Sequence, residues 1–173
     1  MDTISFDKLL FKTAFCCMAC DGNIAQQEIA VIKSVCEKSP VLKYLNFKEE
    51  INSLISETNY KGKNFINEFF NALRSTDLSE EEELTLIDFA IQVIKADEHI
   101  EYSEIKFFKN IRYRLKVSDE KILERFPDIE QYLEQDIITD GFLDKITSQY
   151  FEAIELPQFD LISIADNSQD DKN

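Results

Sequence analysis

Apolar side chains return every three or four positions from residue 5 onward, the period of one face of an α-helix. Phe6, Leu9, Leu10, Thr13, Cys17 and Cys20 form the first stripe, with Ser5 as its predicted N-cap. Phe15 and Met18 widen it until the second half of this helix, which ends at about residue 20, is apolar nearly all round. A helix of that kind belongs in the middle of a bundle. A second helix is predicted from about 26 to 37 and stops before Ser39-Pro40, because the residue preceding a proline resists helical dihedrals. Helices near 47–58 and 64–75 follow, the latter carrying Phe65, Ile66, Phe69, Phe70 and Leu73.

Ser79-Glu80-Glu81-Glu82 is a strong helix start, with a capping Ser, three acids in the first turn and a Glu at the capping-box position. The helix it opens runs to about residue 96 and is apolar around its circumference at 89–94. Another is predicted over 102–115, Ser118 caps a short one, and Pro127 interrupts the pattern before weaker helical segments to about 154. After Pro157 the signal fades, and "DNSQDDKN" at 166–173 has no residue that could anchor it, so it is read as a disordered acidic tail. With only three Gly, three Pro and no hairpin signal, the expected fold is all-α.

The chain also matches itself at an offset of 76. Leu10, Phe11, Ala14, Phe15 and Met18 fall on Leu86, Ile87, Ala90, Ile91 and Ile94, and Asp21, Ile24 and Glu28 fall on Asp97, Ile100 and Glu104. Ile29, Ile32 and Val35 fall on Ile105, Phe108 and Ile111. The prediction is a compact helical bundle built from two pseudo-repeated helix-turn-helix halves, at about 4–37 and 80–113. Each half holds a buried helix, an Asp at its end, an apolar residue that plugs the turn, and a Glu in the next helix's first turn.

Length and charge narrow the function. The 173 residues suffice for one domain that buries roughly two-thirds of its unfolded surface. Thirty-four acidic against 19 basic residues give a net charge of −15, which repels a phosphate backbone or an anionic membrane. Lys106, Lys109, Arg112, Arg114 and Lys116 form the densest basic stretch and are read as a solvated helix face. Expected partners are therefore cations or a basic protein, with no nucleic acid and no membrane insertion. The N-terminus lacks a leader pattern, and the longest apolar run, 14–20, is shorter than the roughly 20 residues that span a bilayer. The chain is read as soluble and cytoplasmic.

Cys16, Cys17 and Cys20 share one helix, where disulfide geometry is hard to satisfy, so these thiols and Cys36 are expected reduced. Cys17-Met-Ala-Cys20 is formally a CxxC, but in an apolar helix it reads as core, and only Cys36 and His99 remain as further zinc ligands. His99 is read as an exposed turn residue. No phosphate loop, no nucleophilic triad and no Trp platform is present, so no enzymatic activity is expected.

The chemistry lies in the corner acids. A carboxylate at a helix C-terminus faces the negative end of the macrodipole, at a cost of a few tenths to about 1 kcal/mol, so something positive should compensate. In one reading, Asp21 and Asp97 cap the following helix and Glu28 and Glu104 close capping boxes, although Ala25 and Glu101 stand where a box wants Ser or Thr. In another, a divalent cation is shared by Asp21, Glu28, Asp97 and Glu104, calcium ahead of zinc because every donor is an oxygen. In a third, the same acids contact a protein. The stretch Asp21-Gly-Asn-Ile-Ala-Gln-Gln-Glu28 looks like the end of an EF-hand loop, but Cys17 and Ala19 occupy positions where that loop needs oxygens, as do Val93 and Lys95 in the second copy.

"ACDGNIAQQEIAVIKSV" and "IKADEHIEYSEIKFFKNI" resemble the alanine-Asp-Gly signature, followed by an apolar residue and a Glu, of TerB-like domains, the tellurite-resistance family. The resemblance spans roughly residues 4 to 120. It assigns 1–120 to a TerB-like helical domain and leaves 121–165 as a C-terminal helical extension packed on it. It implies an all-helical fold of two related halves, a link to chemical stress and tellurite, metal binding through acidic residues, and no catalysis. Residue by residue it reaches Asp21, Glu28, Asp97 and Glu104; Glu98 in place of Gly and the missing Ser before each Glu depart from the pattern. The expected function is a non-catalytic stress-response module that binds a divalent cation, with an acidic adaptor for a basic protein as the alternative.

Overall fold

The computed structural model describes residues 4–96, 98–100, 102–134 and 156–163, except for the side chain of Tyr102. Among these residues eight α-helices and one 3-10 turn form, and no strand. The helices are α1 (Phe6–Ala19), α2 (Gln26–Lys38), α3 (Phe47–Lys61), α4 (Lys63–Ser75), α5 (Glu80–Ile94), α6 (Tyr102–Tyr113), α7 (Asp119–Arg125) and α8 (Glu130–Leu133). The 3-10 turn, Pro127–Ile129, sits where Pro127 was expected to interrupt the pattern. Residues 135–155 and 164–173, which include the weaker helical segments and the tail 166–173, lie outside the described residues.

The all-α expectation holds, and the apolar circumference of the first helix explains its place. α1 is buried from Leu9 to Ala19 apart from Lys12, and it packs most extensively on α5, with α3, α4 and α6 also against it. Each fully buried Leu or Phe contributes about 1.5–3 kcal/mol, so this central pair dominates the stability. Phenylalanines tie the outer helices to it: Phe11 meets Phe47 edge-on at 5.9 Å, and Phe15 meets Phe65 at 5.8 Å. Phe69 and Phe107 stack at 6.1 Å, joining α4 to α6. The buried hydroxyls of Thr13 and Thr58 donate to the carbonyls of Leu9 and Leu54, one turn back, at 2.8 and 2.7 Å.

The boundaries follow local chemistry. Ser79 and Glu82 form the full capping box, with Glu82 N–H to Ser79 Oγ at 3.3 Å and Ser79 N–H to Glu82 Oε2 at 2.8 Å. Ser118 caps α7 through the Lys121 N–H at 3.4 Å. Ser5 occupies the N-cap of α1 in extended geometry, but its hydroxyl accepts no capping bond. α2 stops at Lys38, and Ser39 before Pro40 is extended, with ψ 127°. Gly62, at φ +55°, separates α3 from α4. No helix of the described residues is long and apolar enough to cross a membrane.

Candidate acidic corners at the end of the central helix

The first corner is built by backbone groups that α1 leaves open. The Gly22 N–H reaches back to the Ala19 carbonyl at 3.0 Å, and Gly22 takes φ +80°, which a side chain would resist. Asp21 Oδ1 accepts the Asn23 N–H at 2.8 Å, so this exposed carboxylate closes an Asx turn. Ile24 packs on the core, as its position in the turn predicts. Glu28 Oε2 accepts the Ala25 N–H at 3.0 Å. Ala25 has no side-chain acceptor, so only this half of a capping box forms.

At the second corner α5 ends with the Lys95 N–H on the Ile91 carbonyl at 2.9 Å and the Ala96 N–H on Val93 at 3.0 Å. Ile100 packs on the core as Ile24 does. Asp97 lies outside the described residues. Gln26 and Tyr102, which begin α2 and α6, stand 76 positions apart.

Glu28 and Glu104 are 4% and 3% exposed, an unusual depth for carboxylates. They come from different helices, yet both act on the same two thiols at the end of α1. Burial pushes Cys17 well above the usual thiol range, followed by Cys16 and by the charges of Glu104 and Glu28. Burial does the same to Cys20, followed by Cys17, Asp21, Glu104 and Glu28. The tertiary structure thus brings Asp21, Glu28 and Glu104 to one end of the central helix. Among the described residues no three His, Cys, Asp or Glu side chains stand close enough together to hold a metal ion.

The cysteines belong to the core. All four are free and buried, and the Cys20 thiol donates to the Cys17 carbonyl at 3.1 Å. Cys16 is pushed up by burial, against the pull of Lys12, and burial raises Cys36 to about 12. A protonated buried thiol is neither nucleophile nor ready metal ligand. His99 is exposed, as expected of a turn residue. A groove of about 540 Å³ between α2, α5 and the Pro127 turn has Lys95, Arg125 and Asp128 as its charged lining, and none of the described corner acids.

Two features escaped the sequence reading. Glu83 is a buried carboxylate, 4% exposed, that accepts N–H groups from the loop after α6. Its signal was present: the fourth acid of the run falls on the apolar stripe with Leu86, Ile87 and Ala90. Asn52 and Asn59 on α3 hold residues of the distant 156–163 segment, and their spacing of seven was the only clue.

The family model described as Tellurite resistance protein TerB matches residues 11–124. The chain belongs to the TerB family. The match spans both corners, from the middle of α1 to α7, so Asp21, Glu28, Asp97 and Glu104 all fall within the TerB region. Segment 156–163 falls beyond it. Comparison with curated proteins and with solved structures gives no match.

Proposed function

We propose that this chain is a non-catalytic stress-response module of the TerB family in which Glu28, Glu104, Asp21 and Asp97 share a divalent cation. What supports the reading is that two carboxylates on different helices, Glu28 at the start of α2 and Glu104 in the first turn of α6, are both buried in the core around α1. Carboxylates drawn into one low-dielectric region repel one another, and a divalent cation relieves that repulsion. All four candidate donors are oxygens, so calcium is favoured over zinc. The described carboxylates do not make a closed site by themselves, and the reading requires Asp97 as a donor.

Thermal unfolding with millimolar calcium, magnesium, manganese or zinc tests this in the native chain and in Asp21→Asn/Asp97→Asn. A ligand at 100 times its Kd stabilises the folded state by about 2.7 kcal/mol. Calcium is expected to raise the midpoint of the native chain and not of the double variant. No shift with any ion, or a shift that survives the double change, overturns the reading.

A second reading is favoured by the structural bonds these acids accept: the Ala25 N–H donates to Glu28 at the N-cap of α2, and the Asn23 N–H donates to Asp21 in an Asx turn and not in the cap of the following helix that one reading of the sequence expects. In that case the net charge of −15 is the functional feature and the module docks a basic protein in the cytoplasm. Capture of such a partner should weaken steeply with added salt. Salt-independent capture would sink it.

A further inference from the structure

Residues 156–163, "LPQFDLIS", form a non-helical strap along α3. The Asn59 carboxamide accepts the Phe159 N–H at 2.8 Å and donates to the Phe159 carbonyl at 2.8 Å. Asn52, about two helical turns back, accepts the Ile162 N–H at 2.8 Å and donates to the Ile162 carbonyl at 3.2 Å. The Gln158 Nε2 adds a bond to the Asn59 carbonyl at 3.1 Å. Leu156, Phe159 and Ile162 pack on the core, so main chain and apolar side chains hold the strap together.

The order of these pairs sends the strap against the direction of α3, and its beginning lies on the first corner. Pro157 Cδ and Cγ are 3.4 and 3.5 Å from where a Cβ on Gly22 would stand. Gly22 is the least constrained residue of that turn: it takes φ +80° between the exposed Asp21 and Asn23. A proline ring has its own φ fixed, so a rigid group rests on the freest point of the corner. The ion pair of Lys12 with Glu57, at 3.5 Å, already joins α1 to α3, so the strap and the corner share one frame. The TerB match stops at residue 124, and the strap lies beyond it.

We propose that the strap is an intramolecular latch on the first corner. Clamped on α3 by Asn52 and Asn59, it holds the turn at Gly22 closed through Pro157, and its release lets that turn open while the bundle stays folded. Segments with few buried contacts open locally in this way, at a cost below that of global unfolding. Two bonds define the closed turn, from the Gly22 N–H to the Ala19 carbonyl and from the Ala25 N–H to Glu28 Oε2, each 3.0 Å. Control of a cation at Asp21 and Glu28 by the latch rests on the reading given above, and the latch itself does not.

Amide hydrogen exchange followed by NMR on the full chain, with a chelator present, tests the latch. Asn52→Leu/Asn59→Leu removes the clamps, Asn59→Leu is a milder form, and Pro157→Ala removes the ring from the corner and leaves the clamps in place. Exchange of the Gly22 and Ala25 amides should quicken about tenfold or more in the double variant and in the same direction in the other two. The Lys95 and Ala96 amides, which close the end of α5 at the second corner, are the internal control and should change less than about threefold. Helical circular dichroism confirms that each variant folds, and the two milder variants carry the test if the double variant does not. Unchanged exchange at Gly22 and Ala25 overturns the latch, as does equal acceleration at both corners, which is general loosening of the bundle. Measured without a divalent ion, these rates hold or fail independently of the calcium titration.

Discussion

The Glu83 carboxylate accepts the Val117 N–H at 2.7 Å across 34 positions of sequence, and its two oxygens also accept the Lys116 N–H at 3.1 and 2.9 Å. The first turn of α5 thereby fixes the loop between α6 and α7. Glu83→Ala leaves the buried Val117 N–H without its acceptor and should cost about 2–4 kcal/mol. Glu83→Gln keeps one acceptor oxygen and should cost about half as much. Urea unfolding followed by circular dichroism measures both; a cost below about 0.5 kcal/mol for the Ala variant would show that the loop is held by other means.

Gly22 should resist substitution twice over. At φ +80° a side chain is strained, and the new Cβ would meet Pro157. Gly22→Ala is expected to cost about 1–2 kcal/mol. Because part of that cost acts through the strap, Gly22→Ala and Phe159→Ser should be non-additive in thermal unfolding. Strict additivity would place the whole effect in the backbone.

The four thiols should report on opening of the core. In the folded chain an aromatic disulfide reagent should react slowly, and in denaturant all four cysteines should titrate at once. Burial raises their folded pKa values above the unfolded range near 8.5. Their contribution to stability is therefore complete below that range and is lost as pH rises above it toward the raised values. Stability measured at pH 7 and pH 10 should fall less between the two in Cys17→Ala than in the native chain. Rapid labelling of the folded protein would contradict this burial.

Glu57 on α3 gives the opposite pH dependence. Burial pushes its carboxyl up, but the hydrogen bond from Lys61 and the charge of Lys12 outweigh it and hold the pKa below the usual carboxylate range. A depressed carboxylate contributes stability above about pH 4, lost as pH falls through the lowered value. Glu57 remains 31% exposed, so the loss should stay under about 1 kcal/mol. Lys12 does more, since its ammonium lies 3.5 Å from Glu57 and 4.4 Å from the Phe65 ring centroid. Lys12→Ala should cost about 1–2 kcal/mol and Lys12→Met less, because Met keeps the packed stem. Equal costs would assign the effect to charge alone.

Helix existence and order were legible because apolar periodicity and caps are local signals. The 79–82 box, the stop before Pro40 and the burial of the first helix all follow from neighbouring residues. Ends were less legible: α3 continues to Lys61, past the expected residue 58, because Gly62 and not a change of pattern terminates it. Ser5 looked like a cap from its residue type, and a hydroxyl's direction is not a sequence property.

The sequence by itself determined the all-helical class, the two corners with Ile24 and Ile100 in their turns, and the acids that the TerB family model spans. Its periodicity could do this because each signal repeats within one or two helical turns. Only the tertiary structure decided that Glu28 and Glu104 act on the same thiols, that Glu83 serves a loop 33 positions away, and that Asn52 and Asn59 hold Ile162 and Phe159. Those pairings depend on which helix faces meet after collapse. A polar residue on an apolar stripe announces that it has a partner without naming it.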